Sequence, residues 1–181
     1  MTILFIFMST FAILKPDLVA APPLLSRVVN SLIHSPFQVQ RAARLRIKPA
    51  QAVQLYKEHE GRFYYNRLIR IICSGPAIIL ELDSKNVDPI KEWRRLIGPS
   101  KFIKGYGTEN VDKETFRYQF GLSDVRNVAH GADSNESAQR ELAIFNDQLK
   151  KCTMEKIQEW SKINSAPLDE NQDEDDLIIV E

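Results

Sequence analysis

Apolar residues recur along the chain in blocks, some continuous or alternating and others at a spacing of three to four, separated by proline, glycine and charged positions. Residues 10 to 14 form a short apolar run that predicts a buried strand, with residues 1 to 9 as an apolar lead-in. Pro22-Pro23 suits the first turn of a helix reaching about His34, since Leu24, Leu25, Val28, Val29, Leu32 and Ile33 repeat at helical spacing. Residues 37 to 47 alternate and predict a second strand, and Pro49 opens a short helix to about His59. A further helix is expected over residues 63 to 73, stopped by Ser74-Gly75-Pro76, followed by an apolar strand over residues 77 to 82. Residues 86 to 97 predict a helix ended by Gly98-Pro99, and a loop of about 18 residues follows. Beyond it we expect a fourth strand over residues 116 to 122 and a helix over residues 135 to 145. Asp133-Ser134-Asn135-Glu136 would start that helix, with Glu136 placed to reach back to the cap.

No internal repeat is present. The order β-α-β-β-α-β with extra helices predicts an α+β fold of the ferredoxin-like kind, a four-stranded antiparallel sheet with helices on one face. One domain over residues 10 to 150 is expected, followed by a C-terminal extension over residues 151 to 181.

Charge changes this picture at one end. The 24 Lys and Arg match the 24 Asp and Glu, but residues 169 to 181 hold seven acids and no base. The remaining 168 residues therefore carry 24 bases against 17 acids, a body of +7 and a tail of −7. The tail is too charged to pack and is expected to be disordered. A basic body favours anionic ligands without choosing among nucleotide, nucleic acid and membrane surface. Cys73 and Cys152 are too few for a disulfide scaffold and lack metal-ligand spacing. The apolar N-terminal run has its first basic residue, Lys15, after it rather than before it, which opposes a signal peptide. That run is also too short to span a bilayer, and the chain has no arginine before Arg27 as a mitochondrial presequence would want.

The chemistry concentrates in Arg126-Asn127-Val128-Ala129-His130-Gly131-Ala132-Asp133-Ser134, read as a polar loop leading into a helix. A histidine before a helix start can project toward a ligand, with helix N-terminal amides nearby to hold an anion. Glu141, inside that helix, is placed to return to the imidazole and fix its tautomer. Lys15 at the end of the first strand, Arg94 and Arg95 near a helix end, and Arg117 are cations on separate elements, a pattern suited to a polyphosphate. No glycine-rich P-loop is present, so a nucleotide must be held in another way. Arg41, Arg44 and Arg46 on the second strand suit a solvated basic edge better than a nucleic-acid surface, and nucleic acid is disfavoured as a partner.

These residues resemble the nucleoside diphosphate kinase family over about residues 11 to 145. The markers are Leu14-Lys15-Pro16-Asp17, Tyr56 with Phe63-Tyr64-Tyr65, Ser74-Gly75-Pro76, Arg94 through Gly98, and above all Arg126-Asn127 with His130-Gly131, Asp133-Ser134 and Glu141. His59-Glu60-Gly61-Arg62-Phe63, Trp93-Arg94, Gly98-Pro99 and Gly121-Leu122-Ser123-Asp124 are most like its divergent type-six group. The resemblance implies transfer of the γ-phosphate of a nucleoside triphosphate, ATP as donor, to a nucleoside diphosphate through phosphorylated His130, supplying GTP, CTP and UTP. Glu141 would orient His130. Lys15, Arg94, Ser100, Arg117 and Asn127 would contact phosphates and ribose, and Tyr64, with Leu68 below it, would stack on the base. Mg²⁺ would bridge the phosphates without protein side-chain ligands. Implied partners are nucleoside di- and triphosphates, a second copy of the chain or another protein. Relatives of this group point to mitochondria and the N-terminus does not, which leaves cytoplasm and mitochondrion both open.

Three features depart from the family pattern. Ala132 stands where a serine usually follows His-Gly, and one lost hydrogen bond is worth about 1–2 kcal/mol, or about ten- to thirtyfold in rate. The stretch from Gly98 to Arg117 is about six residues longer than usual, and Tyr118 replaces a glycine while Asp124 adds an acid. They define the alternative reading: a weakly active or inactive nucleotide-binding module that acts through a protein partner.

Overall fold

The computed structural model describes residues 9–101 and 112–162. Among these residues five strands form one antiparallel sheet: β1 Ser9–Leu14, β2 Phe37–Arg46, β3 Pro76–Ser84, β4 Ala129–Gly131 and β5 Lys150–Lys151, in the order β4-β1-β3-β2-β5. The first four strands reproduce the expected ferredoxin-like arrangement. The fifth adds two residues to the outer edge of β2, pairing Lys151 with Arg41 and Lys150 with Ala42. Around the sheet lie α1 Pro16–Val19, α2 Pro22–Ile33, α3 Pro49–Leu55, a 3₁₀ turn Lys57–His59, α4 Tyr65–Ile72, α5 Pro89–Ile97, α6 Phe116–Phe120, α7 Asn135–Ile144 and α8 Met154–Lys162.

Helices cover both faces of the sheet rather than one. Successive residues of a strand point to opposite sides, and in β1 Ala12 and Leu14 join one apolar cluster while Phe11 and Ile13 join another. The first cluster takes Leu25, Val28, Val29 and Leu32 of α2 and Trp93 and Ile97 of α5. The second takes Ala52 and Leu55 of α3, Ile72 of α4, and Ala138 and Leu142 of α7. A strand buried on both sides reads as a continuous apolar run, which is why β1 and the centre of β3 show no alternation.

The expected fourth strand over residues 116 to 122 is instead the short helix α6. Phe116 and Phe120 are one helical turn apart and both face the first cluster, and Gly121 ends the turn. The aromatic density that suggested a strand is the buried face of a helix. The true fourth strand is Ala129–Gly131, so His130 lies on a strand and not in a loop. Three residues with no strand propensity adopt it because β1 supplies the ladder: Ala12 pairs with Gly131, Ile13 with His130 and Leu14 with Ala129.

The C-terminal extension begins with packed structure. Ile157 of α8 is fully buried against the first cluster, and Ser26 Oγ of α2 donates to Ser161 O at 3.0 Å. Residues 1 to 8 of the expected lead-in over residues 1 to 9, residues 102–111 of the long loop and the acidic tail lie outside the described residues, and Ser9 begins β1. The basic residues of β2 are not a free stripe: Arg41 Nε is 2.6 Å from Glu81 Oε2, and Arg44 is buried. No helix among the described residues is long and apolar enough to cross a membrane.

Candidate active site

A cavity of about 520 Å³ opens beside β4 and the C-terminal end of β1. Lys15, Tyr64, Ser100, Arg117, Asn127 and His130, all expected from sequence, line it. Its polar residues Lys15 and Asn127 are buried, whereas Phe63 beside Tyr64 is exposed, so the lining runs from a charged interior to an aromatic mouth. Leu68 lies in the same wall. Arg94 does not line the cavity; its Nη1 donates to Gly131 O at 3.4 Å, and its charge acts on Arg117. Arg95 turns away and pairs with Glu92 at 2.7 Å.

His130 is held on three sides. Its Nε2 lies 2.8 Å from Glu141 Oε2, a carboxylate buried on α7. Edge-on contacts from Phe11, at 6.0 Å between ring centroids, and Tyr56, at 5.8 Å, fix the ring plane. With the Nε2 proton donated to Glu141, Nδ1 keeps its lone pair and takes no hydrogen bond from the described residues. Trp93 Nε1 donates to His130 O at 2.9 Å, which pins the backbone of β4. The next residue has to be glycine, since a Cβ at Gly131 would overlap the Trp93 ring. We expect Gly131→Ala to lower stability by about 1–3 kcal/mol, read as a drop in urea midpoint, together with loss of activity.

Burial sets the electrostatics of the cation cluster. It lowers the Lys15 ammonium to about 8, opposed by the nearby Asp17 carboxylate and assisted by Arg117. Lys15 Nζ donates to Val125 O at 2.5 Å and Asn127 Oδ1 at 2.9 Å. Arg117 likewise falls to about 10, through burial first and Arg94 second. Its Nη1 donates to Gly98 O at 2.6 Å and Nη2 to Ala129 O at 2.8 Å, while Nε is buried without a partner among the described residues. Gly98 ends α5 at φ +80, a conformation open to glycine, and a Cβ there would strike Thr115. The helix end thus presents its carbonyl to Arg117.

The start of α7 differs from expectation. Ser134 caps it by accepting from Ser137 N at 3.1 Å, and Ser137, not Glu136, reaches back to the Ser134 amide at 2.9 Å. The same hydroxyl bonds Asp133 and holds that carboxyl below its ordinary range. These helix-terminal groups are satisfied internally and do not line the cavity, so the anion would be met by side chains. Ala132 places its methyl in the second apolar cluster. The second oxygen of Glu141 instead meets Arg140 Nη2 at 3.4 Å, and Arg140 also pairs with Glu58.

Sequence reasoning assigned no role to Tyr56 or His59, which also line the cavity. His59 Nδ1 lies 3.2 Å from the Tyr64 hydroxyl, a contact across five residues joining the 3₁₀ turn to α4. Burial, then Glu141, raises the Tyr56 hydroxyl above its ordinary range. The signal for Tyr56 was its place among the aromatic markers. Cys73, raised to about 11 by burial, is a poor nucleophile.

Comparison with known proteins agrees with this geometry. The family model for nucleoside diphosphate kinase matches residues 8–150. The chain is 39% identical over 136 residues to nucleoside diphosphate kinase 6 of Rattus norvegicus, covering 75% of each chain. It is 39% identical to the Homo sapiens protein of that name, covering 75% of this chain and 70% of that one. To the nucleoside diphosphate kinase of Histophilus somni it is 33% identical, covering 75% of this chain and 90% of the relative. The crystal structure of the Aquifex aeolicus nucleoside diphosphate kinase superposes with a TM-score of 0.67 at 30% identity, covering 76% of this chain and 93% of that one. With its ferredoxin-like sheet and a half-buried histidine bonded to a buried glutamate beside a cation-lined cavity, the chain belongs to the nucleoside diphosphate kinase family.

Proposed function

We propose that the protein transfers the γ-phosphoryl group of a nucleoside triphosphate to a nucleoside diphosphate through phosphorylated His130. The observation that carries this reading is the His130–Glu141 bond at 2.8 Å, which leaves Nδ1 as the available nitrogen of a ring lining the cavity. In the first half-reaction the Nδ1 lone pair forms the N–P bond as the bond from the γ-phosphorus to the bridging oxygen breaks. The diphosphate leaves with that electron pair. The imidazole becomes cationic, and Glu141 neutralises that charge across Nε2. In the second, a terminal oxygen of the acceptor diphosphate attacks the phosphorus, the N–P bond breaks, and Nδ1 regains its lone pair.

Transfer of this kind depends mostly on position and charge. Lys15, Arg117 and Asn127 would hold the phosphates, with Ser100 beside them and Arg94 joining from outside the cavity lining. Tyr64 would stack on the base above Leu68 without reading its edge, which suits broad base specificity. The substrate would be the Mg²⁺ complex of the triphosphate, the ion neutralising phosphate oxygens. Asp124 is the one carboxylate among the described cavity-lining residues, which fits an ion bound by phosphate and water.

Incubation with γ-labelled ATP should give acid-labile label on His130 and, after addition of GDP, labelled GTP. Parallel double-reciprocal plots would report the ping-pong cycle. Nucleotide binding without label or transfer would reject the kinase reading. It would favour a binding module, the reading to which the apolar setting of Ala132 lends support. Ala132→Ser is then the diagnostic variant, with an expected gain of about tenfold in turnover if the added hydroxyl reaches the Glu141 carboxylate.

A further inference from the structure

Val128 is the one non-glycine residue with positive φ, at 65°, among the described residues. A β-branched side chain is strained there, and the position lies between Asn127 and the strand that carries His130. Ala129 N donates to Asn127 O at 2.7 Å, closing a three-residue turn around Val128. The side chain of Val128 is buried, but burial does not select a positive φ.

The backbone of Val128 is gripped from the segment after β1. Val128 N donates to Asp17 Oδ2 at 3.0 Å, and Lys15 N donates to Val128 O at 2.9 Å. Lys15 Nζ meanwhile bonds Val125 O and Asn127 Oδ1. Asp17 is therefore the side chain that satisfies the amide turned inward by the strained residue. Its second oxygen, Oδ1, is buried without a partner among the described residues, an expensive placement for a carboxylate that served only as a surface cap. Charge support of Lys15 is a competing role, but the Lys15 ammonium makes its hydrogen bonds elsewhere.

We propose that Asp17 is a positioning residue whose carboxylate holds Val128 in the left-handed turn that sets Asn127 and His130 against the phosphates. The inference rests on the phosphoryl-transfer reading, and its test separates the two. Asp17→Ala should lower kcat by roughly 10- to 100-fold, the effect of a small misplacement of reacting groups. Asp17→Asn, which keeps an acceptor oxygen, should stay within about threefold of the parent. Glycine accepts positive φ without strain, so Asp17→Ala/Val128→Gly should recover most of the lost kcat. Asp17→Ala/Val128→Ala, which also removes the buried isopropyl group but keeps a Cβ, should not. An Asp17→Ala variant as active as the parent would overturn the inference. So would an Asp17→Asn variant as poor as alanine with no rescue by glycine, since that pattern means charge rather than position. If the parent transfers no phosphoryl group, the functional reading fails, and a crystal structure of Asp17→Ala decides the inference. Relaxation of Val128 to negative φ with displacement of Asn127 supports it, and an unchanged turn overturns it.

Discussion

His130→Ala is expected to lower phosphoryl transfer by about 10⁴-fold or more and to abolish acid-labile label, because the proposed route runs through a covalent bond to that imidazole. Nucleotide affinity should change far less, since the proposed phosphate contacts come from Lys15, Arg117 and Asn127. The variant should also be less stable. Glu141 is buried and spends one oxygen on His130, leaving, among the described residues, the 3.4 Å contact from Arg140 when the imidazole is removed. Loss of a partner from a buried carboxylate typically costs about 1–3 kcal/mol, so circular dichroism and urea unfolding must accompany the kinetics. Transfer at the parent rate by a folded alanine variant would remove His130 from the mechanism.

Lys15→Met is expected to lower kcat/KM by about 10²- to 10³-fold, the usual scale for losing a buried group that meets developing phosphate charge. The parent should lose kcat/KM as pH rises through about 8, where the free protein's Lys15 gives up its proton. Bound polyphosphate favours the cation, so the kcat limb should lie at higher pH. Stability should move in the opposite direction. Burial lowers the folded-state value from 10.5 to about 8, so between those values the unfolded chain holds a proton the folded one lacks. By linkage Lys15 then contributes stability that increases with pH across that window, while below about 8 the full burial penalty remains. The penalty is on the order of 3 kcal/mol. Urea unfolding of parent and Lys15→Met from pH 7 to 10.5 should therefore show the parent gaining relative to the variant as its activity falls. A parallel pH response in both proteins would contradict a depressed Lys15.

Much of the fold was legible because apolar spacing and helix punctuation act locally. Pro22 and Pro49 open helices and Gly98 ends α5, although that helix starts at Pro89, capped by Asp88 through Ile90 N at 3.0 Å, and not at residue 86 as expected. Strands β1, β2 and β3 were readable from their own residues, since their apolar content is what buries them. The misread strands lie where a partner element decides. Residues 116 to 120 have aromatics compatible with either state, and packing against Trp93 on α5 makes them helical. Residues 129 to 131 lack any strand signal and become β4 through hydrogen bonds to β1.

For the candidate site, the sequence by itself determined the residue types: a histidine, a carboxylate 11 positions later and cations on separate elements, a set whose chemistry suits phosphoryl transfer. It also determined the family, because Arg126-Asn127, His130-Gly131 and Asp133-Ser134 form a specific pattern. Only the tertiary structure decided which groups meet. It buried Lys15 in the cavity wall, left Arg94 out of the cavity lining, and brought Tyr56 against the imidazole. It also put Asp17 on the amide of Val128, 111 residues away in sequence. Hydrogen bonds and desolvation depend on distance in space, and no pattern along the chain reports a contact made across the sheet.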